Sequence, residues 1–78
     1  MISDKLKNII LKELNLEDFD FTEEMTANQV PGWDSLNHMN IIMSVENEFN
    51  FKFKALEILK IRNIGDLQKV IDVKLSEN

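Results

Sequence analysis

Apolar residues recur at three- and four-residue spacing in separate stretches of this chain, and almost nothing between them breaks a helix. Leu6, Ile9, Ile10 and Leu14 form one such stripe near the start, and Ile64, Leu67, Val70 and Ile71 form another near the end. Only two glycines and one proline punctuate the 78 residues, too few for a turn-rich all-β chain. Stripes of this kind are buried by packing helix on helix, so the expectation is an all-α fold, a small helical bundle. The length suits one compact domain over residues 1–78. Apolar residues make up 44% of the chain, enough to separate it from disordered sequences.

The pattern divides into four helical segments and one long connection. The first helix is expected over residues 4–14, capped by Ser3 or Asp4. From 15 to 31 the periodicity fades. Glu17, Asp18, Asp20, Glu23 and Glu24 repel one another there with no basic residue among them. Leu16, Phe19, Phe21, Met25 and Val30 are scattered through the same stretch, which predicts a loop pinned to the core, and Pro31-Gly32 closes it with a turn. A second helix is expected from Asp34 or Ser35 to Phe49, its apolar face made by Leu36, Met39, Ile42, Met43, Val45 and Phe49. Residues 50–54 alternate polar and apolar but have no partner strand, so they read as a connector with Phe51 and Phe53 turned inward. A short helix follows over 55–60. The last begins after Asn63, with Asp66 in its first turn. The predicted bundle therefore has three long helices, one short helix and a long first loop.

Composition removes several kinds of chemistry. There is no cysteine, hence no disulfide framework, no Cys-based metal site and no catalytic thiol. His38 is the only histidine, so a multi-histidine metal centre is excluded and no metal site is expected. The opening residues Met1-Ile2-Ser3-Asp4-Lys5 hold no apolar targeting region, and no apolar run is long enough to span a membrane. These features predict a cytoplasmic protein without membrane insertion. Formal net charge is −5, with lysine and arginine thinly spread. Nucleic acid is thus an unsuitable partner, because its binding rests on phosphate neutralisation. Basic patches on partner proteins suit such a domain better.

The most informative stretch is Gly32-Trp33-Asp34-Ser35-Leu36, placed at the start of the second helix. Here the chain resembles the acyl carrier protein family, whose signature is Asp-Ser-Leu at that place. Val45-Glu46-Asn47-Glu48-Phe49 looks like the family's acidic close of the same helix, and 64–71 resembles its last helix. The resemblance implies that 4′-phosphopantetheine from coenzyme A is joined to the Ser35 hydroxyl by a phosphopantetheinyl transferase. It implies a non-catalytic carrier of acyl or aminoacyl thioesters in fatty-acid, polyketide or other specialised biosynthesis. Partners would be enzymes that load and transfer acyl groups, and the chain itself would be a monomer. Asp34 and Leu36 flank the attachment residue. Trp33, Asn37, Met39, Asn40 and Glu46 are the expected partner contacts. The physics of the position agrees: a serine at a helix N-terminus sits beside unpaired N–H groups and the positive dipole end, where a phosphodiester is favoured. The family's interior can shelter an acyl chain, and four methionines would make an adaptable core.

The chain departs from that family at Asn37, His38 and Asn40, where fatty-acid carriers often hold acids, and at Lys52, Lys54, Lys60 and Arg62, which make the short-helix region basic. These departures predict a specialised carrier with dedicated partners. Two other readings compete. Asp-Ser-Leu also occurs in serine esterases, but the only base available, His38, lies three residues along the same helix, where its side chain would run along the helix surface rather than at the Ser35 hydroxyl, and the domain is too small to enclose a substrate cleft. The other is a helical interaction module that needs no prosthetic group.

Overall fold

The structure, a computed structural model, describes residues 2–76. Four α-helices follow in order: α1 Asp4–Glu13, α2 Ser35–Phe49, α3 Ala55–Lys60 and α4 Ile64–Ser76. A short 3₁₀ turn at Ala27–Gln29 interrupts the long connection between α1 and α2. No strand forms among the described residues. The expected fold is thus borne out, three long helices and one short, with the 3₁₀ turn as the unforeseen element.

Local chemistry explains the boundaries. Ser3 caps α1, its hydroxyl accepting the Leu6 N–H at 3.3 Å. The helix stops at Asn15, whose backbone is left-handed with φ of 55°. The Leu16 N–H then returns to the Leu11 carbonyl and the Asn15 N–H to that of Lys12, satisfying the last free carbonyls. Asn50, also left-handed, ends α2 in a similar way, with Phe51 N–H donating to the Glu46 carbonyl. Asparagine tolerates this conformation better than other residues with a side chain.

Leu6, Ile10 and Leu14 from the α1 region meet Ile41, Ile42 and Val45 of α2, and Ile64, Leu67 and Ile71 of α4; the loop adds Val30. Each such side chain contributes roughly 1.5–3 kcal/mol by leaving water. Phe19, Phe21, Met25, Phe51 and Phe53 pack against this cluster half-buried, as the sequence predicts. The stripe on α2 departs from expectation. Ile41, left out of that stripe, is buried, whereas Leu36, Met39 and Met43 within it are 71%, 44% and 50% exposed, which for Met39 suits the expected partner contact. The four-methionine core is corrected with it: Met25 is half-buried, Met39 and Met43 lie outside, and Met1 falls outside the described residues. Gln68 is the one buried polar residue among those described, and it is satisfied: its Oε1 accepts Ser3 N–H and its Nε2 donates to Asp72.

The start of α4 anchors the long loop. Ile64 N–H donates to the Met25 carbonyl at 3.1 Å and Gly65 N–H to the Glu23 carbonyl at 2.9 Å. Asn63 supplies the expected cap, its Oδ1 accepting Asp66 N–H at 2.8 Å. Gly65 lets the loop come this close. A Cβ there would lie 2.9 Å from Glu23 Cβ and 3.0 Å from the Glu23 carbonyl oxygen. Helix propensity alone would make Gly65→Ala stabilising by up to about 1 kcal/mol. We expect the opposite sign, a loss of about 1–3 kcal/mol as the loop is pushed off the helix, read as a fall in urea midpoint. A midpoint at or above that of the wild type would show that this approach is not tight.

Candidate functional site

The site is assembled from a turn and the helix end that follows it. Trp33 N–H donates to the Val30 carbonyl at 3.2 Å, closing a β-turn over Pro31-Gly32. Proline at the second position and a glycine at φ of 81° in the third make it type II, and the positive φ favours glycine there. Asp34, in extended conformation, caps α2, its Oδ1 accepting Asn37 N–H at 2.8 Å. Asn37 reaches back in turn: its Nδ2 donates to the Gly32 carbonyl at 2.8 Å, and its Oδ1 accepts from Asn40 Nδ2 at 3.3 Å. Turn and helix are thereby clamped into one unit.

Ser35 is the first residue of α2 and is exposed. Its hydroxyl makes no hydrogen bond among the described residues. The N–H groups of Ser35 and Leu36 precede the first intrahelical bond, which runs from His38 N–H to the Asp34 carbonyl. Two unpaired donors and the positive end of a 15-residue helix therefore surround the hydroxyl. This is a setting in which an anion is stabilised.

Trp33 is half-buried, and its indole N–H donates to His38 Nδ1 at 3.1 Å, with ring centroids 6.1 Å apart. Because Nδ1 accepts, the neutral imidazole carries its proton on Nε2. Burial pushes the His38 pKa below its ordinary value, which favours this neutral form. The pair was not foreseen: the sequence marks His38 as a departure from the family and as a possible base for Ser35, and His38 and Ser35 make no hydrogen bond. A groove of about 580 Å³ runs beside Ser35, lined by Ala27, Asn28, Trp33, Asp34, His38 and Met39. A smaller cavity of about 60 Å³ adjoins it, bounded by the same two rings and by Met25, Ile61, Arg62, Ile64 and Leu67, among others.

The residues expected at partner contacts divide into two groups. Leu36 and Met39 are open to solvent, and with Met43 they form an apolar row one helical face wide. Asn37 and Asn40 are half-buried within the clamp, and the Glu46 carboxylate accepts Phe53 N–H at 2.8 Å, ordering the connector after α2.

A family profile described as a phosphopantetheine attachment site matches residues 4–71. The acyl carrier protein of Thermotoga maritima is 34% identical over 74 residues, covering 95% of this chain and 91% of that protein. The acyl carrier protein of Wolinella succinogenes is 30% identical over 71 residues, 91% of this chain and 93% of its own length. Among solved structures, the solution structure of a holo acyl carrier protein from Geobacter metallireducens superposes with a TM-score of 0.88 at 38% identity. It covers 95% of this chain and 85% of that one.

The Trp33–His38 pair makes stability depend on pH. The folded pKa of His38 is depressed relative to the unfolded chain, so its contribution is present above the unfolded value and is lost as pH falls through the folded one. Urea titrations at several values between about pH 7 and about pH 5 should show stability declining towards acid in the wild type, with a shallower slope in His38→Gln. Identical slopes would remove His38 as the titrating group.

Proposed function

The chain belongs to the acyl carrier protein family and carries acyl groups as thioesters on a 4′-phosphopantetheine arm, and on that premise we propose that the arm is joined to Ser35 Oγ. The observation that carries the assignment is the state of that hydroxyl: exposed, without a partner among the described residues, and set at the positive end of α2. In the joining step an Oγ–P bond forms at the pantetheine-side phosphorus of coenzyme A, the pyrophosphate P–O bond breaks with its electron pair leaving on adenosine 3′,5′-bisphosphate, and the hydroxyl proton passes to a base on the transferase. The residues present fit the product. Its phosphodiester is an anion, and the free N–H groups of Ser35 and Leu36 stabilise negative charge where it would sit. Asp34 is occupied in capping, which holds Ser35 at the first position of the helix.

Once attached, the arm supplies the thiol that bears cargo, a group the cysteine-free chain lacks. The chain's own task is to hold the attachment point rigid and accessible. The clamp from Asn37 to Gly32 does the first, and the loop-to-helix junction does the second. Proteins of this family are carriers and not catalysts. They work with a phosphopantetheinyl transferase and with acyl-handling enzymes.

For this chain we further propose that such enzymes meet the exposed row of Leu36, Met39 and Met43 beside the half-buried Trp33. Residues 35–45 contain no aspartate, glutamate, lysine or arginine. That favours partners with an apolar counter-surface over strongly basic ones, and it supports dedicated partners rather than general service.

Incubation with coenzyme A, Mg²⁺ and a broad-specificity phosphopantetheinyl transferase, followed by intact mass measurement, tests the attachment. We expect one phosphopantetheine on the wild type and none on Ser35→Ala, with stability changed by no more than about 0.5 kcal/mol because the position is exposed. Modification of Ser35→Ala would move the site elsewhere. A wild type that is folded yet unmodified would favour an interaction module without an arm. Met39→Glu should slow the reaction while leaving the urea midpoint near that of the wild type. An unchanged rate would take Met39 out of the docking surface.

A further inference from the structure

His38 has one ring nitrogen committed and one free. Nδ1 accepts the Trp33 indole N–H at 3.1 Å, which leaves the proton of the neutral ring on Nε2. Burial favours that neutral form. The Nε2–H group has no hydrogen-bond partner among the described residues. No buried side-chain nitrogen or oxygen among them lacks a partner, so this free donor is open to solvent.

Its place follows from helix geometry. Residues three apart share a helix face, and a helical side chain leans over the turn N-terminal to its own Cα. His38 therefore leans back over the start of α2, far enough to meet Trp33, which precedes the capping Asp34. There it lines the groove of about 580 Å³ together with Ser35. The turn that carries Trp33 is held on both sides, its N–H by the Val30 carbonyl and the Gly32 carbonyl by Asn37. The indole thus orients the imidazole from a fixed base. Resting on Ser35 as the attachment point, we propose that His38, oriented by Trp33, donates its Nε2–H to the phosphodiester that joins the arm to Ser35, and so acts as the positioning residue for the root of the arm.

Backbone and side chain then share one anion. The free N–H groups of Ser35 and Leu36 are what any helix start provides. The imidazole is a donor that this chain adds. The non-bridging oxygens of a phosphodiester accept several hydrogen bonds, so the two sets of donors do not compete. Held from the helix end and from the ring, the first bonds of the arm are drawn along the groove instead of turning freely in water. Two charged side chains line the spaces that His38 borders: Asp34 in the groove, its carboxylate accepting Asn37 N–H, and Arg62 in the adjoining cavity.

The test compares the unmodified wild type with the form that has received its arm from coenzyme A and the transferase. Intact mass and peptide mapping first locate the arm. His38 is the only histidine, so its ring signals in NMR spectra are unambiguous. Ring nitrogen shifts should show the Nε2–H tautomer in both forms. The ring is then titrated between about pH 8 and about pH 5, a range in which the phosphodiester keeps its charge. We expect the His38 midpoint to rise by about 0.5 or more on attachment, because a nearby anion favours the imidazolium. Asp34 and Arg62 are common to both forms, so the difference reports the phosphodiester. Its phosphorus resonance should move with the same midpoint. In His38→Phe, which keeps a ring without the donor, that resonance should stay flat. Trp33→Phe removes the indole donor and should shrink both responses.

An arm on Ser35 with an unchanged His38 midpoint and a flat phosphorus resonance would overturn the proposal, and this reading needs no variant to fold. A phosphorus response that survives in His38→Phe would overturn it as well, since another group would then be titrating. Full responses in Trp33→Phe would take the indole out of it. An arm mapped to a different residue would overturn the attachment at Ser35 and this proposal together, a failure that the mapping separates from the others.

Discussion

Two hydrogen bonds hold this structure in its functional arrangement: those from Ile64 and Gly65 N–H to the Met25 and Glu23 carbonyls. Each removes a free donor from the start of α4 while satisfying a loop carbonyl, so neither group must be left to water. The acidic loop could not order itself, since its carboxylates repel and its backbone has few partners of its own. Fastened to α4, it delivers Val30 into the core and places the Pro31-Gly32 turn at the head of α2. The approach is close enough that Gly65 has no room for a side chain beside Glu23.

From that fixed turn the site follows by short-range chemistry. Asp34 caps the helix, Asn37 ties the cap back to the turn, and Asn40 supports Asn37. Three polar side chains are used to order one exposed serine. Such a network costs little where water reaches it, and it leaves the Ser35 hydroxyl uncommitted. A carrier with its arm on Ser35, as proposed, benefits from this economy: such a residue must stay put and stay reachable, and the bond-making belongs to other proteins. The same reasoning accounts for the exposed Leu36, Met39 and Met43. Apolar groups that the core does not need remain available to a partner's surface.

Much of this was legible in the residues alone. The stripes of α1 and α4 appear at helical spacing, and Ser3, Asp34 and Asn63 each announce a helix start by a capping preference that depends on neighbours only one turn away. Pro31-Gly32 marks its turn for the same local reason. What escaped were features set by more distant elements. Periodicity grouped Met43 with the apolar face of α2 and left out Ile41, because it records apolarity and not which side meets another helix; Met43 is exposed and Ile41 faces the core. Gln68 carries no signal of burial in the sequence, yet it is buried and accepts from Ser3, 65 positions away.

The chain by itself determined its class: helix periods, caps, absent cysteines and the Gly-Trp-Asp-Ser-Leu stretch are properties of residues and near neighbours, and they suffice for a helical carrier with Ser35 at a helix start. Tertiary structure alone decided the rest. The loop's attachment to α4, the outward turn of the methionines and the meeting of Trp33 with His38 beside a small cavity all depend on contacts between separate elements. Those contacts form only when the whole core closes, because each buries or satisfies a group that its own segment leaves unpaired.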